Sequence, residues 1–162
     1  MSEFDALPPA AVWAIVAFVG ACVGSFLNVV IHRVPRGESI VAPPSACPHC
    51  GHRLRIHENL PIVSWLALRG RCSSCHVAIH WRYPVVEALG ALLAVGCVWR
   101  FGLGFEAVAL FALLAAMLAV AFIDWEHMII PDPISLGFLV LGLALAPDRK
   151  STRLNSSHTH LS

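Results

Sequence analysis

Charged residues are scarce in this sequence of 162 residues: Asp, Glu, Lys and Arg make up 13%, while hydrophobic residues make up 57%. The mean hydropathy is +0.72. A typical water-soluble domain has about 25% charged residues. The scarcity of charge therefore excludes an ordinary soluble domain and predicts an all-α polytopic membrane protein.

Basic residues are absent ahead of the first apolar run, residues 10–31, which Glu3 and Asp5 precede. A signal peptide has a basic start and a shorter apolar core, so the sequence excludes one. At about 1.5 Å per residue, this run is long enough to cross a hydrocarbon core of about 30 Å. We expect a retained first transmembrane helix whose N-terminus lies outside.

Three further apolar runs cover residues 85–99, 105–123 and 134–146. The second run needs its flanks, residues 83–84 and 101–103, to reach membrane length, and the fourth is short. We expect about four transmembrane helices. The predicted division is a tail and first helix at 1–31, a loop at 32–84, a membrane-embedded part at 85–147, and a polar tail at 148–162.

The polar tail at residues 148–162 is rich in Ser, Thr and His and has no periodicity. It resembles translated adapter or vector sequence, so we expect non-native read-through and exclude it from fold and site reasoning. The native part of the chain is then expected to be a C-terminally truncated fragment.

Small and polar residues recur along the first run. Gly20 and Gly24 form a small-xxx-small pair suited to close helix contact, and Ser25 and Asn28 are expected to hydrogen-bond across helices. A serine protease with Ser25 as nucleophile and His32 as base is excluded, because seven helical residues span about 10 Å.

Basic residues are concentrated in the loop, since seven of the eleven Lys and Arg lie between residues 32 and 84. The positive-inside rule places such a segment in the cytoplasm. Its thiols then lie in a reducing compartment, which favours metal binding over disulfides. The seven residues are Arg33, Arg36, Arg53, Arg55, Arg69, Arg71 and Arg82.

Four of the six cysteines form two CxxC pairs in this loop, with 21 residues between the pairs. Each short turn presents two thiolates to one tetrahedral ion, so the spacing predicts a structural zinc site that holds together a loop too small to bury a core. The predicted ligands are Cys47, Cys50, Cys72 and Cys75. A mixed ligand set remains an alternative, because four histidines lie nearby: His49, His52, His76 and His80.

The two remaining cysteines, Cys22 and Cys97, lie in apolar runs. Cysteine in such a setting behaves as a small hydrophobic residue. Both are therefore expected to be inert packing residues.

The third apolar run ends in a carboxylate, Asp124, and Asp132 follows in a turn bracketed by Pro131 and Pro133. A carboxylate at the end of a membrane-length apolar run is costly unless a polar site solvates it, so Asp124 is the first candidate for catalysis. Eight residues of continuous helix rise about 12 Å, so only a turn would pair the two aspartates. Asp132 is expected to cap the next helix or to shape the site.

Glu87 lies one turn inside the cytoplasmic end of the second run and is an accessory candidate. It either pairs with a loop arginine or lines a polar cavity shared with Asp124. An ion or proton carrier that uses these two carboxylates is a weaker hypothesis, because neither is expected at mid-membrane.

Five segments occur in order: GSFLNVVIHRVPRGES at 24–39, PPSACPHC at 43–50, NLPIVSWLALRGRCSSC at 59–75, RYPVVE at 82–87 and FIDWEHMIIPD at 122–132. Together they resemble the type IV prepilin peptidases. These are the bifunctional leader peptidases and N-methyltransferases of type IV pilus and type II secretion systems.

The resemblance implies a multi-pass aspartic endopeptidase of the bacterial inner membrane. It implies that prepilins and pseudopilins are cut at the cytoplasmic face and then methylated at the new N-terminus, with S-adenosylmethionine as methyl donor. It assigns one catalytic aspartate to Asp124 and the other to a Gly-x-Gly-Asp element that this sequence lacks. An aspartic dyad shares one proton between two carboxylates, so the chain alone is expected to be inactive.

The expected partners are prepilin and pseudopilin substrates and membrane lipid, with no nucleic acid. The sequence does not locate the methyl-donor site, because it has no Gly-rich strand–turn–helix signature. An alternative from a different class is a non-enzymatic zinc-binding membrane module that docks an assembly partner. A second intramembrane aspartate would discriminate the two, since only the protease requires it.

Overall fold

The computed structural model describes residues 8–128 together with Gly137. No β-strand occurs among these residues, which confirms the all-α prediction. Apart from Gly137, the expected fourth span at 134–146 lies outside the described part of the chain, as do Asp132 and the tail at 148–162. The described helices are α1 (Pro9–Arg33), α2 (Val63–Ala67), α3 (Arg82–Phe101) and α4 (Phe105–His127), with 3-10 turns at Val34–Arg36 and Ile56–Asn59.

Helices α1, α3 and α4 are each long and apolar enough to cross a membrane. They correspond to the first three apolar runs and extend beyond them, because polar residues continue each helix past its apolar part. The short connection at 102–104 makes α3 and α4 antiparallel neighbours. Helix α4 ends where Met128 adopts a left-handed φ of 53°, and the Met128 N–H donates to the Asp124 carbonyl at 2.8 Å.

Helices α1 and α3 approach each other through glycines. A Cβ atom at Gly24 would lie 2.7 Å from both the Glu87 Cα and the Val86 carbonyl oxygen. A Cβ atom at Gly20 would lie 2.5 Å from the Gly90 carbonyl oxygen. Only a hydrogen fits at these positions, which confirms that Gly20 and Gly24 form a close helix contact.

The largest fully buried side chains lie at the end from which the loop emerges. The largest fully buried side chains are Ile31, Val86 and Ile123, one from each long helix. Ile31 and Ile123 lie near the C-terminal ends of their helices, and Val86 lies near the start of α3. Each of the three long helices therefore contributes a buried side chain to the core beside the loop.

The two cysteines of the apolar runs differ from each other. Cys97 is buried as expected, but Cys22 is exposed, so the expectation that Cys22 packs in the interior was wrong. An apolar run in a membrane protein does not distinguish the helix side that faces protein from the side that faces lipid.

We expect Gly24→Ala to destabilise the protein by about 1–3 kcal/mol, because the added methyl group would overlap the α3 backbone. Gly96→Ala is the matched control, since nothing lies within 4 Å of a Cβ there. Helix propensity predicts a gain of up to about 1 kcal/mol for the control. Thermal unfolding midpoints in detergent micelles measure both effects. Equal midpoints for the two variants would contradict the close contact.

Candidate functional site

The first CxxC pair lies in a short hairpin. The Cys47 N–H donates to the His52 carbonyl at 2.9 Å, and the Gly51 N–H donates to the Cys47 carbonyl at 2.9 Å. A single antiparallel bridge between Ala46 and Arg53 closes the hairpin. Gly51 has a φ of 70°, a left-handed value that favours glycine, and this allows the chain to turn back directly after the second cysteine.

The second CxxC pair lies in a hairpin of the same design. The Cys72 N–H donates to the Val77 carbonyl at 2.9 Å, and the His76 N–H donates to the Cys72 carbonyl at 3.0 Å. An antiparallel bridge joins Arg71 and Ala78. His76 has a φ of 56° at the position that Gly51 occupies in the first hairpin. The same hydrogen-bond pattern therefore holds each pair of sulfurs on one side of a turn.

The four sulfurs of these hairpins converge, and all lie within 4.8 Å of one another. The Cys47 and Cys75 sulfurs are 3.8 Å apart, and those of Cys50 and Cys72 are 4.0 Å apart. Four thiolates held about 2.3 Å from one zinc ion in a tetrahedron are about 3.8 Å apart, so the sulfurs fit such an ion. The predicted four-cysteine cluster is present, and no histidine of the described loop belongs to it.

The electrostatics of the cluster also suit a cation. The backbone N–H groups of Cys75 and Ser74 lower the pKa of the Cys72 thiol from 9.0 to about 6. The Val77 N–H lowers the pKa of Cys75, but burial and the neighbouring sulfurs outweigh it and raise that pKa to about 12. One thiolate therefore forms readily at neutral pH, while the full set needs a cation to ionise together.

Glu58 connects the two hairpins. Its Oε2 accepts from the Arg55 N–H at 2.8 Å and lies 3.1 Å from the His52 Nε2. The Arg55 N–H and then the Ser73 hydroxyl lower the pKa of the Glu58 carboxyl to about 2. Since His52 belongs to the first hairpin and Ser73 to the second, one ionised carboxylate braces both ligand turns. Sequence reasoning missed this residue, although it is the only acid between the two CxxC pairs.

Helix α2 attaches the second hairpin to the rest of the loop. The Trp65 indole N–H donates to the Ile79 carbonyl at 3.3 Å. The Trp65 ring lies against Gly70, where a Cβ would come within 2.8 Å of it. The four-cysteine cluster and α2 therefore form one unit.

Glu87 of α3 joins the loop to the long helices. The side chain is buried, and its Oε2 accepts a hydrogen bond from the Ile62 N–H at 2.7 Å. Ile62 has a φ of 63°, a strained value for a β-branched residue. In the described part of the chain Glu87 thus pairs with the loop backbone rather than with a loop arginine.

A cavity of about 740 Å³ lies between the loop and the ends of the helices. Asn28 of α1 and Arg82 of α3 line it and are almost fully buried. The Asn28 Nδ2 donates to the Tyr83 carbonyl at 3.1 Å, which confirms the expected bond across helices. Glu87 also lines this cavity, whereas Asp124 is not among the described residues that line it.

Asp124 is exposed in the last turn of α4. Two residues further on, the Glu126 carboxylate forms an ion pair with the Arg82 guanidinium at the start of α3. Arg82 is the first residue of α3, so this pair holds the Asp124 end of α4 beside the start of α3. The sequence carried no signal for it, because the partners are 44 residues apart.

The sequence matches two models of known protein families. Residues 18–101, more than half of the sequence, match the family model described as the bacterial peptidase A24 N-terminal domain. Residues 110–161 match the model of the type IV leader peptidase family. The chain belongs to the type IV leader peptidase family. This confirms the resemblance seen in the five ordered segments.

Several curated members of this family are similar to the chain. A prepilin leader peptidase/N-methyltransferase from Myxococcus xanthus (strain DK1622) is 50% identical over 135 residues, which cover 83% of this chain and 40% of that protein. Proteins of the same name from Stutzerimonas stutzeri and Pseudomonas aeruginosa are 39% and 43% identical, covering 88% and 77% of this chain and 57% and 51% of those proteins. The chain thus spans about half the length of these relatives. No solved structure matches the chain.

We expect the double variant Cys47→Ser with Cys50→Ser to lose bound zinc, because it removes two of the four ligands. The zinc content should fall from about one ion per chain towards none. Cys22→Ser is the matched control, since Cys22 is exposed on α1, outside the cluster. Elemental analysis of the purified protein measures both. An unchanged zinc content in the double variant would rule out the four-cysteine site.

We expect Glu58→Gln to speed zinc release to a chelator by about 10- to 100-fold at pH 7, because partners behind the ligands hold the ligand turns in place. Glu38→Gln provides the control, because Glu38 is an exposed carboxylate of the same loop. A colorimetric chelator gives the release rate. If the two variants release zinc at the same rate, Glu58 does not brace the cluster.

Proposed function

We propose that the chain forms part of a membrane aspartic endopeptidase that removes the leader peptide of type IV prepilins and pseudopilins. The observation that carries this proposal is the exposed Asp124, which ends a membrane-length helix at the loop side of the molecule. A carboxylate at such a position is costly unless it serves a polar site. The names of the curated relatives support the same activity.

Asp124 is proposed as one member of an aspartic dyad. In such a dyad, an ionised carboxylate takes a proton from the attacking water, while a protonated carboxyl donates to the peptide carbonyl oxygen. In the described part of the chain, Glu126 is engaged by Arg82 and Glu87 by the Ile62 N–H. Neither is therefore suited to be the partner, and we propose that the second carboxylate comes from outside the described residues.

The substrate is proposed to be cut at the cytoplasmic face of a bacterial inner membrane. The seven arginines of the 32–84 segment favour the cytoplasm for the loop, which leaves the start of α1 outside. Asp124 lies in the last turn of α4, two positions before Glu126, which pairs with Arg82. The basic part of a leader peptide would arrive on this same cytoplasmic side of the membrane. Asp132 is proposed to shape this site.

Zinc is the metal proposed for the four cysteines. A closed set of four thiolates leaves no open coordination position, so the ion would stabilise the loop without taking part in hydrolysis. Cys47, Cys50, Cys72 and Cys75 would hold it, and Glu58 would keep the two turns aligned. The second proposed activity is N-methylation of the new N-terminus, with S-adenosylmethionine as methyl donor, which the names of the relatives support.

Exposed apolar side chains on the loop favour one other function, the docking of an assembly partner by a non-enzymatic zinc module. Ile56, Val63 and Leu66 are the residues concerned. This function needs no aspartate at position 124, so the experiment below separates the docking function from the peptidase function.

We expect Asp124→Asn, in a protein of the full family length, to lower leader cleavage by about 10²–10⁴-fold or more, because a carboxamide cannot exchange the proton. Membrane insertion should be unchanged. Glu106→Gln is the control, since Glu106 lies in the first turn of the same helix, at the end away from the loop. Cleavage of a prepilin in membranes is followed by the change in its mass. Wild-type cleavage by Asp124→Asn would refute the peptidase proposal.

A further inference from the structure

Residues 60–68 form an apolar stretch inside the polar loop. Their sequence is LPIVSWLAL, in which Ser64 is the single polar residue, and Arg69 follows directly. Helix α2 occupies the centre of this stretch, at Val63–Ala67. An apolar stretch much shorter than a membrane span either packs into a protein core or lies at a membrane interface. The side of α2 that is exposed distinguishes these two arrangements.

Helix α2 presents its apolar side outward. Val63, Leu66 and Ala67 lie at positions i, i+3 and i+4, so they share one face of the helix. All three are exposed, Val63 by 61% and Leu66 by 62%. Ser64 and Trp65 instead line the cavity between the loop and the helix ends, and the Trp65 indole N–H donates to a loop carbonyl. A helix on the surface of a water-soluble protein has the opposite arrangement, with its apolar face toward the core.

A hydrogen bond holds the start of α2 close to the first turns of α3. The residue before α2 is Ile62, and its N–H donates to the Glu87 Oε2 at 2.7 Å. Glu87 is the sixth residue of α3, and five helical steps correspond to a rise of about 7.5 Å from Arg82. Since α3 is long and apolar enough to cross a membrane, its first turns lie near the membrane boundary. The bond therefore places α2 beside that boundary.

Two tryptophans indicate the same boundary. Trp81 directly precedes α3 and is 61% exposed, and Trp125 lies in the last turn of α4 and is 86% exposed. Tryptophan is enriched where membrane-spanning helices meet the lipid headgroups. The ion pair between Arg82 and Glu126 joins these two helix ends. Both ends therefore indicate an interface at the level where α2 is attached.

Positive charge directly follows the apolar stretch. Arg69 and Arg71 are both exposed, and no Asp or Glu occurs between Glu58 and Glu87. The positive-inside rule favours the cytoplasm for this loop, and the cytoplasmic leaflet carries anionic phospholipids. Guanidinium groups bind phosphate oxygens through paired hydrogen bonds. An exposed apolar face beside arginines has the composition of a segment that lies in the membrane interface.

We propose that α2 lies in the headgroup layer of the bilayer on the loop side of the protein. Val63, Leu66 and Ala67 contact the acyl chains, and Arg69 and Arg71 bind the phosphates of anionic phospholipids. The loop is then attached to the membrane at its middle as well as through α1 and α3. A protein partner would compete for the same apolar face, but the attachment at the membrane boundary and the positive flank favour lipid.

The test uses the protein of full family length in nanodiscs that contain phosphatidylcholine and phosphatidylglycerol and no other protein. Leu66→Trp places a fluorophore on the outward face of α2, and Arg53→Trp, at an exposed position of the first hairpin, is the matched control. The emission that each variant adds to that of the parent is quenched by acyl-brominated lipid or by aqueous acrylamide. We expect brominated lipid to quench Leu66→Trp at least about twofold more strongly than Arg53→Trp, because an interfacial helix buries its apolar face about 5–10 Å.

The opposite quenching pattern would overturn the proposal. If acrylamide quenches Leu66→Trp as strongly as Arg53→Trp, and brominated lipid does not distinguish the two variants, the outward face of α2 lies in water and is open to a protein partner. Val63→Trp, on the same face one turn earlier, decides the result if Leu66→Trp does not fold.

The role of the two arginines is tested in the Leu66→Trp protein. We expect lipid quenching to be stronger in nanodiscs with phosphatidylglycerol than in phosphatidylcholine alone, and Arg69→Gln with Arg71→Gln to lose this difference. Arg100→Gln, at the other end of α3, is the matched control and should keep it. Zinc content, measured on the same samples, should be unchanged. If the difference persists in the double variant, the two arginines do not bind anionic lipid, and that part of the proposal is wrong.

Discussion

The close approach of α1 and α3 is the constraint on which the rest of the structure depends. A Cβ atom on Gly24 would lie only 2.7 Å from the Glu87 Cα, so the two backbones are in direct contact. One turn beyond Gly24, Asn28 can then reach the Tyr83 carbonyl. Close backbone approach through small residues is the usual way for membrane helices to gain packing energy, because lipid is as apolar as the side chains.

The loop relies on this helix pair because it has almost no apolar core of its own. Its order comes from two hairpins whose sulfurs converge, from the Glu58 carboxylate between them, and from the Trp65 ring on Gly70. A hydrogen bond from the Ile62 N–H to Glu87 then joins the middle of the loop to α3. Because a buried carboxylate is costly without partners, this bond and the strained Ile62 conformation depend on each other.

The candidate functional groups lie together at the loop end of the long helices. The Arg82 and Glu126 pair joins the end of α4 to the first residue of α3, so Asp124, the cavity and the four-cysteine cluster belong to one end of the molecule.

The sequence by itself determined the features that depend on neighbours along the chain. Hydropathy located α1, α3 and α4, because membrane length is a local property of composition. The CxxC spacing identified Cys47, Cys50, Cys72 and Cys75, because each turn orients its own two sulfurs. Asp124 stood out because a carboxylate at the end of an apolar run is unusual.

Only the tertiary structure decided which distant groups meet. The exposure of Cys22, the bond between Glu87 and Ile62, the bracing role of Glu58 and the Arg82 pair with Glu126 all depend on helix rotation and on how the loop folds back. No periodicity encodes these contacts. They arise from packing between segments far apart in the chain, where the side of each helix that faces protein is selected by its partner rather than by its own sequence.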